Sequence, residues 1–284
     1  AQLNLTGFFY DYEGYQITQI INRTSANFNI DSELSGIELE YLWTPADNWL
    51  LTANLGLLDS KIVDTSAIDT LDRTAGNPNF VVLKNAANYS NCVVSAQGYA
   101  TVLTAIQAGI GGLEAGDTAG LCVGAFAGQE ANFGLGDVTY VDGNGETKTI
   151  GALTPFDGIT KDLDGNNMPG APDMTLNLAA EYTFQSLNNS DWDLKIRGDY
   201  YYQADSFSRV WNTGHDKLDS WSNVNLSLIL SNDQNGWSIE AFAKNLTDEE
   251  VITGSYLQDD SPGLTTSVFL TEPALYGLTV SKSW

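Results

Sequence analysis

The sequence predicts an all-β fold, an antiparallel up-and-down transmembrane β-barrel. Three observations carry that expectation. Tryptophans gather beside turns, apolar residues alternate with polar ones, and the connections between strands alternate short with long.

Five of the seven tryptophans sit where a hydrophobic segment meets a short turn, or at the last residue. Trp43 and Trp49 bracket residues 44–48, Trp192 follows 187–191, Trp237 follows 232–236, and Trp284 ends the chain. The indole has an apolar body and a polar N–H tip, which suits it to a membrane–water boundary. A row of such rings beside tight turns matches the aromatic girdle of a barrel in an outer membrane. The competing explanation is that tryptophans close hairpins in a soluble sheet.

Nine segments alternate with period two: 2–12, 15–23, 34–43, 48–60, 173–185, 191–203, 220–231, 236–246 and 273–284. One face of the fifth reads Met174, Leu176, Leu178, Ala180, Tyr182, Phe184, and the other reads Thr175, Asn177, Ala179, Glu181, Thr183. Folding the hairpins with Phe184 opposite Trp192 places Glu181 opposite Lys195. Folding them with Leu230 opposite Trp237 places Leu228 opposite Ile239 and Ser227 opposite Glu240. Matched faces and opposite charges favour such registers. An apolar outside around a polar inside suits a barrel in lipid, but a sandwich with its apolar face inward shows the same alternation.

Connection lengths separate the two. Glu13-Gly14 reads as a tight turn and 24–33 as a longer link. Residues 44–48 are short and about 61–172 long, 186–190 short and 204–219 long, 232–235 short and 247–272 long. Short periplasmic turns opposite long extracellular loops are the layout of outer-membrane barrels. Nine strands is an odd number, whereas single-chain bacterial barrels use even numbers. Together with an opening already in strand alternation, this reads as a chain whose leader has been removed or which is a piece of a longer protein.

Composition excludes other classes. Lys plus Arg number 12 against 36 Asp plus Glu, a formal charge of −24. That surface repels a phosphate backbone, so no nucleic-acid partner is expected. No apolar run is long enough for a transmembrane helix. Cys92 and Cys122 lie thirty residues apart with no histidine near them, a poor metal site. In an exported protein they read as a disulfide clipping a long loop, and in a cytosolic one as two free thiols.

The last sixty residues carry a family resemblance. Trp221-Ser-Asn-Val-Asn-Leu-Ser-Leu, Trp237-Ser-Ile-Glu-Ala-Phe-Ala-Lys-Asn-Leu-Thr-Asp248 and Pro273-Ala-Leu-Tyr-Gly-Leu-Thr-Val-Ser-Lys-Ser-Trp284 resemble the end of TonB-dependent outer-membrane receptors. Upstream, Phe8-Phe-Tyr-Asp-Tyr12 with Gln16, Gly36-Ile-Glu-Leu-Glu40 with Pro45, and Gly165-Asn-Asn-Met-Pro-Gly-Ala-Pro172 are similar to its mid-barrel style. Two positions depart from the pattern. Ala274 stands where the family often has arginine, and Lys282 where its terminal assembly signal has a hydrophobic residue or tyrosine. The resemblance implies a 22-stranded barrel, of which residues 1–284 would be about the last nine strands, with a long extracellular insertion at about 61–172. The plug domain, TonB box and earlier strands would precede Ala1. It also implies residence in the outer membrane of a Gram-negative bacterium, with membrane lipid as a partner and TonB-ExbB-ExbD coupled through the plug. The cargo would be a small nutrient, a ferric siderophore first, then cobalamin or oligosaccharides.

No enzyme and no cofactor are expected. The single histidine, His215, lies in a loop beside glycine, where a histidine is ordinarily solvated. Asp162-Leu-Asp164-Gly-Asn166-Asn167 and Asp142-Gly-Asn144-Gly-Glu146 lack the spacing of a twelve-residue calcium loop, and Asx-Gly runs are ordinarily turns. Gly109-Ile-Gly-Gly112 is not placed between a strand and a helix in the phosphate-binding order and reads as a flexible loop piece. Substrate contacts are expected from Phe207, Trp211, His215 and Tyr256 in the long loops, the alternative for each being loop packing. Other functions open to the sequence are a passive porin and a secreted all-β glycan-binding protein.

Overall fold

The computed structural model describes residues 1–21, 24–85 and 88–284. Eight strands form one antiparallel sheet in sequence order: β1 (Gln2–Ile21), β2 (Thr24–Trp43), β3 (Trp49–Val63), β4 (Met174–Phe184), β5 (Asp193–Gln203), β6 (Trp221–Asn232), β7 (Trp237–Lys244) and β8 (Leu275–Lys282). Strands β4 and β5 have eleven residues each, the length with which a tilted strand crosses a membrane. Strands β1 and β8 are the two edges of the sheet.

Period two gives the sheet two unlike faces. One row of cross-strand neighbours runs Leu5, Leu39, Leu55, Leu176, Tyr202. Another runs Trp49, Tyr182, Ile196, Leu228, Ala241, Leu278. The opposite face carries Asn4, Glu40, Asn54, Asn177, Tyr201 and Asn223 in one row, and Glu181, Arg197 and Ser227 in another. Glu181 meets Lys195 at 3.0 Å and Arg197 at 3.7 Å on this polar face. On the same face Phe8 lies over Gly36 and Phe242 over Gly277, where a Cβ would collide with either ring. Glycine is needed at both places to seat the aromatic ring.

Burial settles which face is which. Leu5 is 68% exposed and Leu278 69%. Among the described residues, the sheet contributes only Ile30, Ile62 and Ala179 to the buried hydrophobic set. A soluble sandwich would bury its apolar face against a second layer. Here that face is open along the sheet, and the buried hydrophobic clusters lie in the long connections instead.

Two expectations are corrected. Glu13-Gly14 is not a turn but a β-bulge inside one twenty-residue strand, with the register shifting between Tyr12 and Tyr15. Gly14 takes φ +72° and its N–H donates to Asp31 Oδ1 at 2.8 Å, the positive-φ backbone that a bulge of this kind asks of glycine. Segments 2–12 and 15–23 are therefore one strand as far as Ile21, and the whole of the expected link 24–33 is part of β2. Asn22 and Arg23, the end of that second segment, lie outside the described residues. The sheet has eight strands rather than nine, so the odd count no longer argues for anything. The hairpin registers are also displaced by two residues. Leu194, not Trp192, faces Phe184, and Arg197, not Lys195, faces Glu181. Leu230 faces Ile239, Leu228 faces Ala241 and Ser227 faces Phe242. A shift of two preserves every face, so the patterning survived an error in hairpin length.

Residues 44–48, 185–192 and 233–236 join strands at one end of the sheet, and 64–173, 204–220 and 245–274 at the other. Trp43, Trp49 and Trp237 lie at the short-turn end, exposed at 42%, 41% and 41%. Trp192 is half-buried just before β5, and Trp284 is fully exposed after β8. Lys282 places its ammonium 5.2 Å from the Trp237 ring and 5.5 Å from that of Trp284. Lys282, which departs from the terminal pattern that the sequence otherwise resembles, is thus held between two tryptophan rings.

Candidate functional site in the loop cap

The three long connections fold together into a cap over one end of the sheet. Residues 64–173 are not a plain loop. Phe80–Lys84 pairs with Asn91–Ser95, Asp137–Val141 with Thr147–Gly151, and Ser66–Ile68 with Thr160–Asp162. Helix α1 (Ala96–Gln107) starts where the Ser95 hydroxyl accepts the Gly98 N–H at 2.8 Å, a side-chain cap for an otherwise orphaned donor. Cys92 and Cys122 are disulfide-bonded with their Cα atoms 5.6 Å apart. They close a cluster containing Val94, Val102, Leu121, Phe126 and Leu153. Gly109, Gly111 and Gly112 all take positive φ around a short 3-10 turn at Ile110–Gly112.

The bulge in β1 has a second effect. It reverses the alternation beyond Tyr12, so that Ile17 and Phe28, which are cross-strand partners, lie on the same face as Ile30. That face continues the polar inner side, and here it turns apolar because the cap sits on it. Ile30, Ile62, Ala67, Leu163, Met168, Val210 and Trp211 form one buried cluster, with Ile17 and Phe28 packed against it. Asn212 fixes the loop 204–220 to the lead-in of β4. Its Oδ1 accepts the Asn167 N–H at 2.6 Å and its Nδ2 donates to Asn167 O at 3.0 Å.

Ion pairs join the connections. Arg209 reaches Asp69 at 2.9 Å and Asp216 at 2.5 Å, linking 204–220 to 64–173. Arg73 meets Asp260 at 2.6 Å with both side chains 1% exposed, linking 64–173 to 245–274. Asp260 also accepts from the Asn91 N–H at 3.0 Å and the Asn91 side chain at 3.2 Å. Lys217 at the base of the 206–218 hairpin bonds Asp205 at 2.9 Å. That hydrogen bond lowers the Asp205 pKa and, reciprocally, raises that of Lys217.

Where the cap meets β1 and β2 there is a cavity of about 320 Å³. Ile17, Phe28, Val210, Trp211, Tyr256 and Leu257 give it apolar and aromatic walls. Thr70, Ser208, Ser255 and Gln258 give it neutral polar groups, and among the described residues Arg209 is its one charged side chain. The Arg209 guanidinium lies 5.0 Å from the Trp211 ring, and its Nη2 is buried without a hydrogen-bond partner. Of the four residues expected to contact substrate, Trp211 and Tyr256 line this cavity and Phe207 and His215 do not. Trp211 is 9% exposed, with its indole N–H donating to Ala67 O at 3.4 Å, so most of it is core. Tyr256 is 47% exposed. Phe207 is half-buried in the short strand facing Lys217, and His215 is exposed with Nε2 3.2 Å from Thr266 Oγ1. Sequence reasoning missed Ile17, whose face the bulge reverses, Phe28, which lay in the expected link 24–33, and Arg209. Its only visible signal was being one of two cations in 204–220.

Among the described residues no group of three or more His, Cys, Asp or Glu side chains is placed to hold a metal ion. The Asp142 carboxylate instead accepts the N–H groups of Asn144 and Glu146, at 3.0 and 2.9 Å, and closes a turn.

This architecture defines the fold class: a barrel portion similar in fold to those of TonB-dependent siderophore receptors, with an apolar outer face, a polar inner face and elaborated loops at one end. Over 99% of its length the chain is similar in structure to the ferric yersiniabactin uptake receptor FyuA from Yersinia pestis, with TM-score 0.54 and 11% identity, covering 27% of that chain. It is likewise similar over 98% of its length to BauA, the ferric preacinetobactin receptor from Acinetobacter baumannii, with TM-score 0.50 and 12% identity, covering 26% of that chain. The chain therefore spans about a quarter of the length of these receptors. No protein-family model and no curated protein matches the sequence.

Proposed function

We propose that residues 1–284 form part of the barrel of an outer-membrane receptor of a Gram-negative bacterium. In this reading the receptor takes up a scarce nutrient, a ferric siderophore first, with energy delivered by TonB-ExbB-ExbD through a plug outside these residues. The observation that carries the reading is the pairing of an uncovered apolar sheet face with a folded cap whose cavity lies over the polar face. Sheet edges cannot stand open in lipid, because their N–H and C=O groups would find no partner there. The proposal therefore includes further strands between β1 and β8. Trp211 and Tyr256 act as cavity contacts, while Phe207 and His215 serve the folding of the cap.

The test is uptake of iron-55 as a ferric siderophore by iron-starved cells carrying the full-length receptor, with and without TonB. Uptake that requires TonB and drops with Tyr256→Ala supports the proposal. Uptake indifferent to TonB would make the protein a passive pore, and growth dependence on a sugar rather than on iron would remove the siderophore.

A further inference from the structure

The charge of the cap restricts what can enter the cavity. Residues 64–173 carry thirteen carboxylates against four lysines and arginines, 204–220 three against two, and 245–274 six against none. The cap therefore holds 22 of the 36 acidic residues and only six cations. Those six cations are already engaged. Arg73 pairs with Asp260, Lys148 with Asp142 and Glu146, Lys161 with Asp69 and Asp72, Arg209 with Asp69 and Asp216, and Lys217 with Asp205. Lys84 donates to the backbone carbonyl of Asp260. Of these six only Lys84 meets no carboxylate among the described residues, so an anionic ligand would find a single uncompensated cation in the cap and would approach through a negative field that slows encounter.

The one charged group at the cavity is consistent with this. Arg209 has its charge offset by two carboxylates, and its Nη2 is buried without a hydrogen-bond partner. With two carboxylates already on it, the guanidinium leaves no net positive charge for an anionic ligand. The rest of the wall is aromatic, aliphatic, hydroxyl or amide. Resting on the receptor reading above, we infer that the ligand taken at this cavity is a neutral or cationic chelate that presents carbonyl-type oxygens and an apolar flank, and not an anionic one. Iron held by hydroxamate groups on an amine-bearing backbone has that chemistry. Iron held by three catecholates, a strongly anionic complex, does not.

The experiment is equilibrium binding of two iron-55 probes to the full-length receptor in detergent, at low and at physiological salt. The probes are a cationic ferric trihydroxamate and a ferric tris-catecholate. The trihydroxamate is expected to bind at least about tenfold more tightly at low salt, with the advantage shrinking as salt screens the cap. Tyr256→Ala, at a half-exposed position, should weaken that binding. Equal or tighter binding of the tris-catecholate overturns the charge inference and leaves the receptor reading standing. Binding of neither probe overturns the charge inference as well, and leaves the receptor reading to the TonB-dependent uptake test above.

Discussion

Arg73 and Asp260, 187 residues apart in the chain, meet as a fully buried ion pair with Nη2 2.6 Å from Oδ2. The pair is a tie between two loops that leave the sheet at different strands. Removing one partner strands a buried charge, at a cost of about 3–5 kcal/mol, whereas replacing both by apolar groups is often tolerated. Asp260→Ala is therefore expected to open the cap to limited proteolysis while the barrel keeps its resistance to detergent. Arg73→Met combined with Asp260→Leu should recover much of the protection. Equal protease sensitivity of the single and double variants would show that the tie does not hold the cap.

Neighbouring positions on β4 separate lipid from lumen. Leu178 is 40% exposed at mid-strand between Ala53 and Tyr200, and Asn177 lies between Asn54 and Tyr201 on the polar face. Leu178→Arg should cost about 2–4 kcal/mol of folding stability in lipid vesicles, with Asn177→Arg well below that. Equal losses would mean that the apolar face does not contact lipid.

The Cys92–Cys122 bond closes a thirty-residue separation within the cap. Its loss is expected to destabilise that lobe by about 3–4 kcal/mol through the freedom regained by the unfolded loop. Replacing both cysteines by serine should expose residues 96–133 to protease and leave assembly into the membrane unchanged. A variant as protease-resistant as the parent would show that the lobe is held by its apolar cluster alone.

The Asp205–Lys217 contact gives a pH dependence. Asp205 has its pKa lowered by the lysine, so its contribution is present above the unfolded carboxylate value, about 3.9, and is lost as pH falls through the folded one. Lys217 is raised, so its contribution persists below about 10.4 and is lost as pH rises through its folded value. Protection from hydrogen exchange, relative to intrinsic rates, in the hairpin Ser206–Phe207 with Lys217–Leu218 should thus fall in strong acid and in strong base. Asp205→Asn should remove the acid limb, and an unaltered acid limb would assign it to another carboxylate.

The sequence by itself determined the two faces of the sheet, the end at which five of the seven tryptophans lie and the end at which the chain is long. Each is a local property: period two decides which side a residue takes whatever its partner is, and a turn's length is written in its own residues. The same locality explains the errors. Glu13-Gly14 reads as a turn because a positive-φ glycine serves a turn and a bulge equally, and only the partner strand, through Asp31, decides for the bulge. The hairpin registers slipped by two because no single residue marks where pairing stops, while face matching forbids a slip of one. The cavity is the opposite case. Ile17, Phe28, Arg209, Trp211 and Tyr256 come from four segments that share no pattern along the chain. They meet because a bulge reverses the strand's alternation and because buried pairs such as Arg209–Asp69 and Arg73–Asp260 draw distant loops together, which tertiary structure alone could decide.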